Sequence, residues 1–145
     1  MTTTSGIFFF SEGTNYRIRN KKKIKDIIKK IISDAKLSLE SLNFILCNDD
    51  FLYKINLQFL KHDTLTDIIT FDYCSNEKVK GEAYISLDRV KENAKKYKQI
   101  LFKELLRVIF HGTLHLVGYN DKKKKEITIM RAKEDFYLRE FFDLL

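Results

Sequence analysis

The chain contains no proline and no tryptophan, and only five glycines, two cysteines and three histidines in 145 residues. Without proline and with so little glycine, no linker rich in Gly, Ser or Pro divides it and no internal repeat is visible. One domain over residues 1–145 is therefore expected. Cys47 and Cys74 form no C-x-x-C pair, which excludes a disulfide framework and leaves two ordinary thiols. No apolar run approaches the ~20 residues of a membrane helix. The run Ile7-Phe8-Phe9-Phe10 has no basic lead, so no secretory signal is expected either. With no export signal and free thiols, the expected compartment is the reduced cytoplasm.

What the chain does have is a globular composition, 44% hydrophobic and 32% charged. At this length a folded chain buries roughly 68–70% of its unfolded surface, enough to stand without staples. Lys and Arg number 27 against 20 for Asp and Glu, a net charge of +7. That excess favours an anionic partner such as nucleic acid, through Coulomb attraction and counterion release.

Hydrophobic periodicity divides the chain into about four strands and about five helices, an α+β domain with a small mixed sheet. Residues 7–10 read as a strand. Residues 20–35 carry Ile24, Ile27, Ile28, Ile31 and Ile32 at spacings of three and four, with lysines opposite, and predict an amphipathic helix. Residues 39–47 alternate as a strand. Asn48 or Asp49 can cap a helix running to about residue 60. Residues 66–73 and 82–87 read as two strands, joined as a hairpin by a turn near Ser75-Asn76. A short helix over 88–97 and a long one over 98–117 follow, the latter stopped by Gly118. A last helix over 122–142 carries Ile127, Met130, Phe136 and Leu138 at near-helical spacing.

Two of the three histidines, His111 and His115, stand four apart in the long helix, so their rings share one face. Gly118 permits the chain to reverse, and Asp121 follows three residues on. The pattern H-x3-H-x2-G-x2-D offers two neutral nitrogens and a returning carboxylate. Three protein ligands with a fourth position open is the arrangement of a catalytic zinc site, where bound water becomes acidic near neutral pH. Asp121 has a second reading, as the N-cap of the following helix. The spacing also matches the third-ligand geometry of metzincin proteases, but the general base of that chemistry is a Glu directly after the first His. Here that residue is Gly112, and nothing marks Met130 as a Met-turn, so proteolysis by that route is disfavoured.

The run His111-Gly112-Thr113-Leu114-His115-Leu116-Val117-Gly118-Tyr119 resembles the HGxLHLxGY signature of the YbeY family of endoribonucleases. Asn56 with the run from Asp63 to Phe71 resembles that family's N-x9-TDVLSF block, and Gly81-Glu82-Ala83-Tyr84-Ile85-Ser86 its GDIxIS strand. The three motifs occur in the family's order over roughly residues 50–121. The resemblance implies an α+β fold, a bound Zn2+, and single-strand-specific, metal-dependent endoribonuclease activity. It also implies a role in small-subunit ribosomal RNA processing and ribosome maturation, with ribosomal RNA and the small subunit as partners. His111 and His115 match the first two metal ligands. The family's usual third ligand is His, whereas the matching residue here is Asp121, a harder and charged donor that tilts preference toward ions such as Mn2+ without excluding zinc. Where the family often has an Arg four positions after the Asn, this chain has Leu60.

Lys61 and His62 are then candidate phosphate contacts in place of that Arg, although a lysine is a point charge and not a bidentate fork. His62 reads equally as a solvated loop residue. Lys122 opens a run of four lysines directly after the third ligand and is a candidate contact for an RNA backbone; the alternative is a solvated helix start. Lys21-Lys22-Lys23 has the same two readings. Glu104, two turns before His111, is expected as an exposed carboxylate paired with Lys103 or Arg107, or alternatively as an orienting partner for a ligand. No catalytic general base is identifiable. Two other functions stay open at this point: a metallohydrolase of another substrate, and a ribosome-associated RNA-binding protein with a structural ion. The oligomeric state is not legible.

Overall fold

A computed structural model describes residues 6–60 and 66–143. Lys61 and His62 lie outside the described residues. Four strands form one sheet in the order β1-β2-β4-β3: β1 (Gly6–Ser11), β2 (Ser38–Cys47), β3 (Ile68–Asp72) and β4 (Lys78–Ser86). β1 and β4 both run parallel to the central β2, while β3 is antiparallel to β4, so the sheet is mixed as expected.

Helix α1 (Lys21–Asp34) makes the crossover between β1 and β2 and buries the five isoleucines its spacing singles out, each at 2% exposure or less. It packs with α4 (Leu101–Leu116) and α5 (Lys124–Asp143) on one face of the sheet. Strand alternation supplies the other half of that core: Leu42, Phe44 and Leu46 from β2, and Val79, Ala83 and Ile85 from β4. A smaller cluster of Cys47, Leu52, Ile55 and Ile69 brings in α2 (Asp49–Ile55). Burial and neighbouring carboxylates push the Cys47 thiol up to about 12, consistent with an inert core thiol.

The helix α2 is capped by Asn48, whose Oδ1 accepts from the Phe51 N–H at 2.8 Å. It does not run on as α-helix to residue 60: residues Asn56–Leu60 form a π-turn, the wide i→i+5 form that is uncommon outside functional segments. The third strand closes its hairpin with Asn76 and Glu77 at φ 50° and 63°. Both central residues are left-handed, which is the I′ geometry that matches strand twist, and Ser75 and Lys78 exchange both backbone hydrogen bonds. Pairing therefore starts at Lys78, four residues before the expected boundary. Helix α3 (Leu87–Lys96) begins one residue earlier than read, under Ser86, whose Oγ accepts from the Arg89 N–H. The helix α4 begins at Leu101 because Lys98 adopts φ 54° and breaks the run.

The last helix corrects its expected stripe. Ile127 is 49% exposed, and the buried line is Met130, Glu134, Tyr137, Leu138 and Phe141. A carboxylate thus stands on the core face of α5.

Gly81 in β4 is needed for close approach. A Cβ there would lie 2.7 Å from the Phe71 carbonyl oxygen and 3.1 Å from both Leu116 methyls. Backbone cannot yield as a side chain can, so Gly81→Ala is expected to cost about 1–3 kcal/mol, read as a lower urea midpoint at unchanged m-value.

Candidate metal centre

The C-terminus of α4 builds the site. Gly118, at φ 112°, donates to His115 O, and the Tyr119 N–H donates to Leu114 O, both at 3.0 Å. This is a Schellman closure, which satisfies the last carbonyls and reverses the chain. The reversal does two things for the histidines. It presents the Tyr119 carbonyl to His115 Nδ1 at 2.9 Å, and it returns Asp121 over both rings.

His111 Nε2 and His115 Nε2 each lie 3.2 Å from Asp121 Oδ2. One donor atom from each of the three residues falls within 4.8 Å of the others. The rings stand nearly perpendicular, with centroids 4.5 Å apart. Both outer nitrogens are engaged: His115 Nδ1 with the Tyr119 carbonyl, and His111 Nδ1 with Glu134 Oε2 at 2.6 Å. A histidine whose Nδ1–H is held in this way offers a lone pair at Nε2, the tautomer a cation requires. Two such imidazoles and a carboxylate, with all three residues partly exposed, form a donor set that fits a divalent ion.

Burial alone would lower the His111 pKa. The hydrogen bond and charge of Glu134, with Asp121 and Asp67, outweigh burial and leave it above the ordinary imidazole value. The same excess of negative charge that holds a proton there would hold a cation.

Glu134, the partner of His111 Nδ1, is the residue that sequence reading missed. It is 5% exposed, and its second oxygen accepts from Arg107 Nη1 at 2.9 Å, while Arg107 Nη2 donates to Asp135 at 2.8 Å. The signal available was its place on the apolar stripe of α5, four residues after Met130 and four before Leu138. Glu134→Gln keeps the shape and weakens the acceptor for His111, so affinity for Zn2+ is expected to fall about tenfold, the lower end of what loss of such a partner costs. Isothermal titration of the chelator-stripped protein reads this.

Glu104 is not an exposed carboxylate. It is 6% exposed, and burial raises its pKa despite Arg107 and Arg131 nearby. It makes no bond to His111; Glu134 occupies that role. Nor does Asp121 cap α5. The first turn is closed by Glu126 Oε1, which accepts from the Lys123 N–H at 2.9 Å. Lys122 to Lys125 are all exposed beside Asp121. Asn56 is 3% exposed at the start of the π-turn, and Leu60 at its end is 40% exposed.

Comparison with known proteins agrees with this architecture. The family model described as Endoribonuclease YbeY matches residues 10–142. The chain is 45% identical over 135 residues to the Endoribonuclease YbeY of Amoebophilus asiaticus, covering 92% of each chain. It is 46% identical over 138 residues to that of Cytophaga hutchinsonii, covering 93% of this chain and 96% of the relative. Among solved structures, the solution structure of a Thermotoga maritima protein superposes with a TM-score of 0.66 at 30% identity, over 94% of this chain and 89% of that one. With nearly its whole length matched, the chain belongs to the YbeY family of endoribonucleases.

Proposed function

We propose that the protein is a single-strand-specific, metal-dependent endoribonuclease that acts on small-subunit ribosomal RNA during ribosome maturation. The observation that carries this reading is the convergence of His111, His115 and Asp121 on one point, each imidazole backed by a hydrogen bond at its far nitrogen. The ion is Zn2+ or, given the carboxylate, a harder cation such as Mn2+. Bound there, it supplies Lewis acidity to a phosphodiester oxygen and acidity to water.

The chain's own residues do the rest. Glu134 and the Tyr119 carbonyl fix the two ring orientations. Asp121 brings one negative charge to a site that binds a polyanion, and Lys122 to Lys125 offset it along the path the backbone takes. Lys61 and His62 remain proposed phosphate contacts on the strength of their place in the sequence. The chain acts as one domain. Its working compartment is the cytoplasm, a reading supported by two unpaired thiols; no helix among the described residues is long and apolar enough to cross a membrane.

The test is cleavage of an unstructured RNA. Dialysis against chelator is expected to abolish it, and Zn2+ or Mn2+ to restore it, with a rate at subsaturating RNA that falls steeply as salt rises. Cleavage of peptides instead would support the metallohydrolase alternative, and RNA binding without turnover a structural ion. Asp121→His exchanges a hard anionic donor for a neutral, softer one. Dialysed against equal Zn2+ and Mn2+, that variant is expected to retain a higher ratio of zinc to manganese than the parent; an unchanged ratio removes Asp121 from the ligand set.

A further inference from the structure

A polar cavity of about 180 Å3 opens beside His111, between α3, α4 and α5. Asn93 and Tyr97 from the end of α3, Glu104 and Arg107 from α4, and Arg131 from α5 line it. Asp67 and Glu134 complete the lining. Its size is below the roughly 300–1,000 Å3 of sites that bury drug-sized ligands, and suits a single flat heterocycle.

Glu104 sets the chemistry. The residue is only 6% exposed, and no buried side-chain oxygen among the described residues lacks a partner, so its carboxyl oxygens, which accept from no protein donor, open onto the cavity. A carboxyl group that faces a small cavity with only solvent as partner is an acceptor for a ligand that brings N–H donors. Arg107 cannot swing to it without giving up bonds to Glu134 and Asp135. A phosphate is a poor fit, because three carboxyl groups line the space. Arg131, whose side chain is 59% exposed and whose approach to Glu134 is a loose 4.0 Å, is free to face an acceptor. The Tyr97 ring, 53% exposed at the end of α3, offers a π surface at the mouth.

We propose that this cavity takes one unpaired base of the RNA substrate, guanine by preference. Glu104 accepts from the paired donors of the guanine Watson–Crick edge, Arg131 faces its carbonyl oxygen, and Tyr97 stacks on the ring. Guanine is singled out because it alone among the four bases presents two adjacent donors that a carboxylate can take together. The inference rests on the RNA reading above and deepens it. His111 lines both places, so a base held here sets which phosphodiester lies at the ligand cluster. A base must be unstacked to enter, which is the physical basis for a single-strand requirement.

Binding of fluorescent 2′-O-methyl pentanucleotides to the zinc-loaded full chain tests this. The four probes carry guanine, adenine, cytosine or uracil at the centre of a uridine tract. The guanine probe is expected to bind about tenfold tighter than the all-uridine one, within the range of a bidentate base contact. Glu104→Gln should bring guanine to the level of the all-uridine probe, and Tyr97→Ala should weaken all four. Equal affinities in the parent, a preference for another base, or a guanine preference that survives Glu104→Gln overturns the proposal. If the probes bind equally while unstructured RNA is still cut, the base site falls and the nuclease reading stands. If nothing binds and nothing is cut, both fall.

Discussion

His115→Ala is expected to lose bound metal and RNA cleavage together while the chain stays folded. The variant removes one of three donors, and His111 and Asp121 alone offer two ligands where a zinc site takes three from protein. The fold should hold because the His115 ring is 25% exposed and, among the described residues, hydrogen-bonds the Tyr119 carbonyl and Asp121, both partly exposed. His111→Ala is a less clean choice, since it strips Glu134 of one partner in the interior. Two measurements separate loss of metal from loss of fold. Metal content after dialysis should drop to background, and the rise in Tm that Zn2+ gives the parent should vanish; at a hundredfold excess over Kd that rise corresponds to about 2.7 kcal/mol. Full cleavage by the metal-free variant would reject the centre as the seat of the chemistry.

The fold was largely legible because its signals are local. Five isoleucines at spacings of three and four mark α1, and alternation marks the strands. The grouping of His111, His115 and Asp121 was legible for a related reason: two share a helix face, and the third lies within one Schellman turn of them. No long-range contact had to be guessed. What escaped was decided by contacts between distant elements. Glu134 reads as one more carboxylate in a charged helix, and becomes the partner of His111 only when α5 is laid against α4. Glu104 reads as exposed because its burial depends on how α3 and α5 pack against α4, which its own helix does not encode. The early start of β4 came from Asn76 and Glu77 both going left-handed, a turn whose usual Asn-Gly marker is absent.

Gly112 separates the nuclease reading from the protease one, and its replacement should be the most damaging to stability of any change at the site. The residue directly follows His111, where a metzincin carries its glutamate. In this fold a Cβ at 112 points away from the ligand cluster and into the sheet, 2.7 Å from Ile68 Cδ1 and 3.5 Å from Thr70 Cγ2. Gly112→Glu would drive an unpaired carboxylate into that contact. Overpacking costs about 1–3 kcal/mol, and the buried charge or its neutralisation adds several more. The sum rivals the whole stability of a small domain, about 5–15 kcal/mol. Gly112→Ala is the control. Its nearest contact is the end of a flexible isoleucine that can rotate aside, and alanine gains about 1 kcal/mol in helix propensity. That variant should stay within about 1 kcal/mol of the parent and keep its metal. Urea denaturation of both reads the contrast. A stable Gly112→Glu protein that cleaves peptides would place that side chain at the ion, and the packing of α4 on the sheet described above would be wrong.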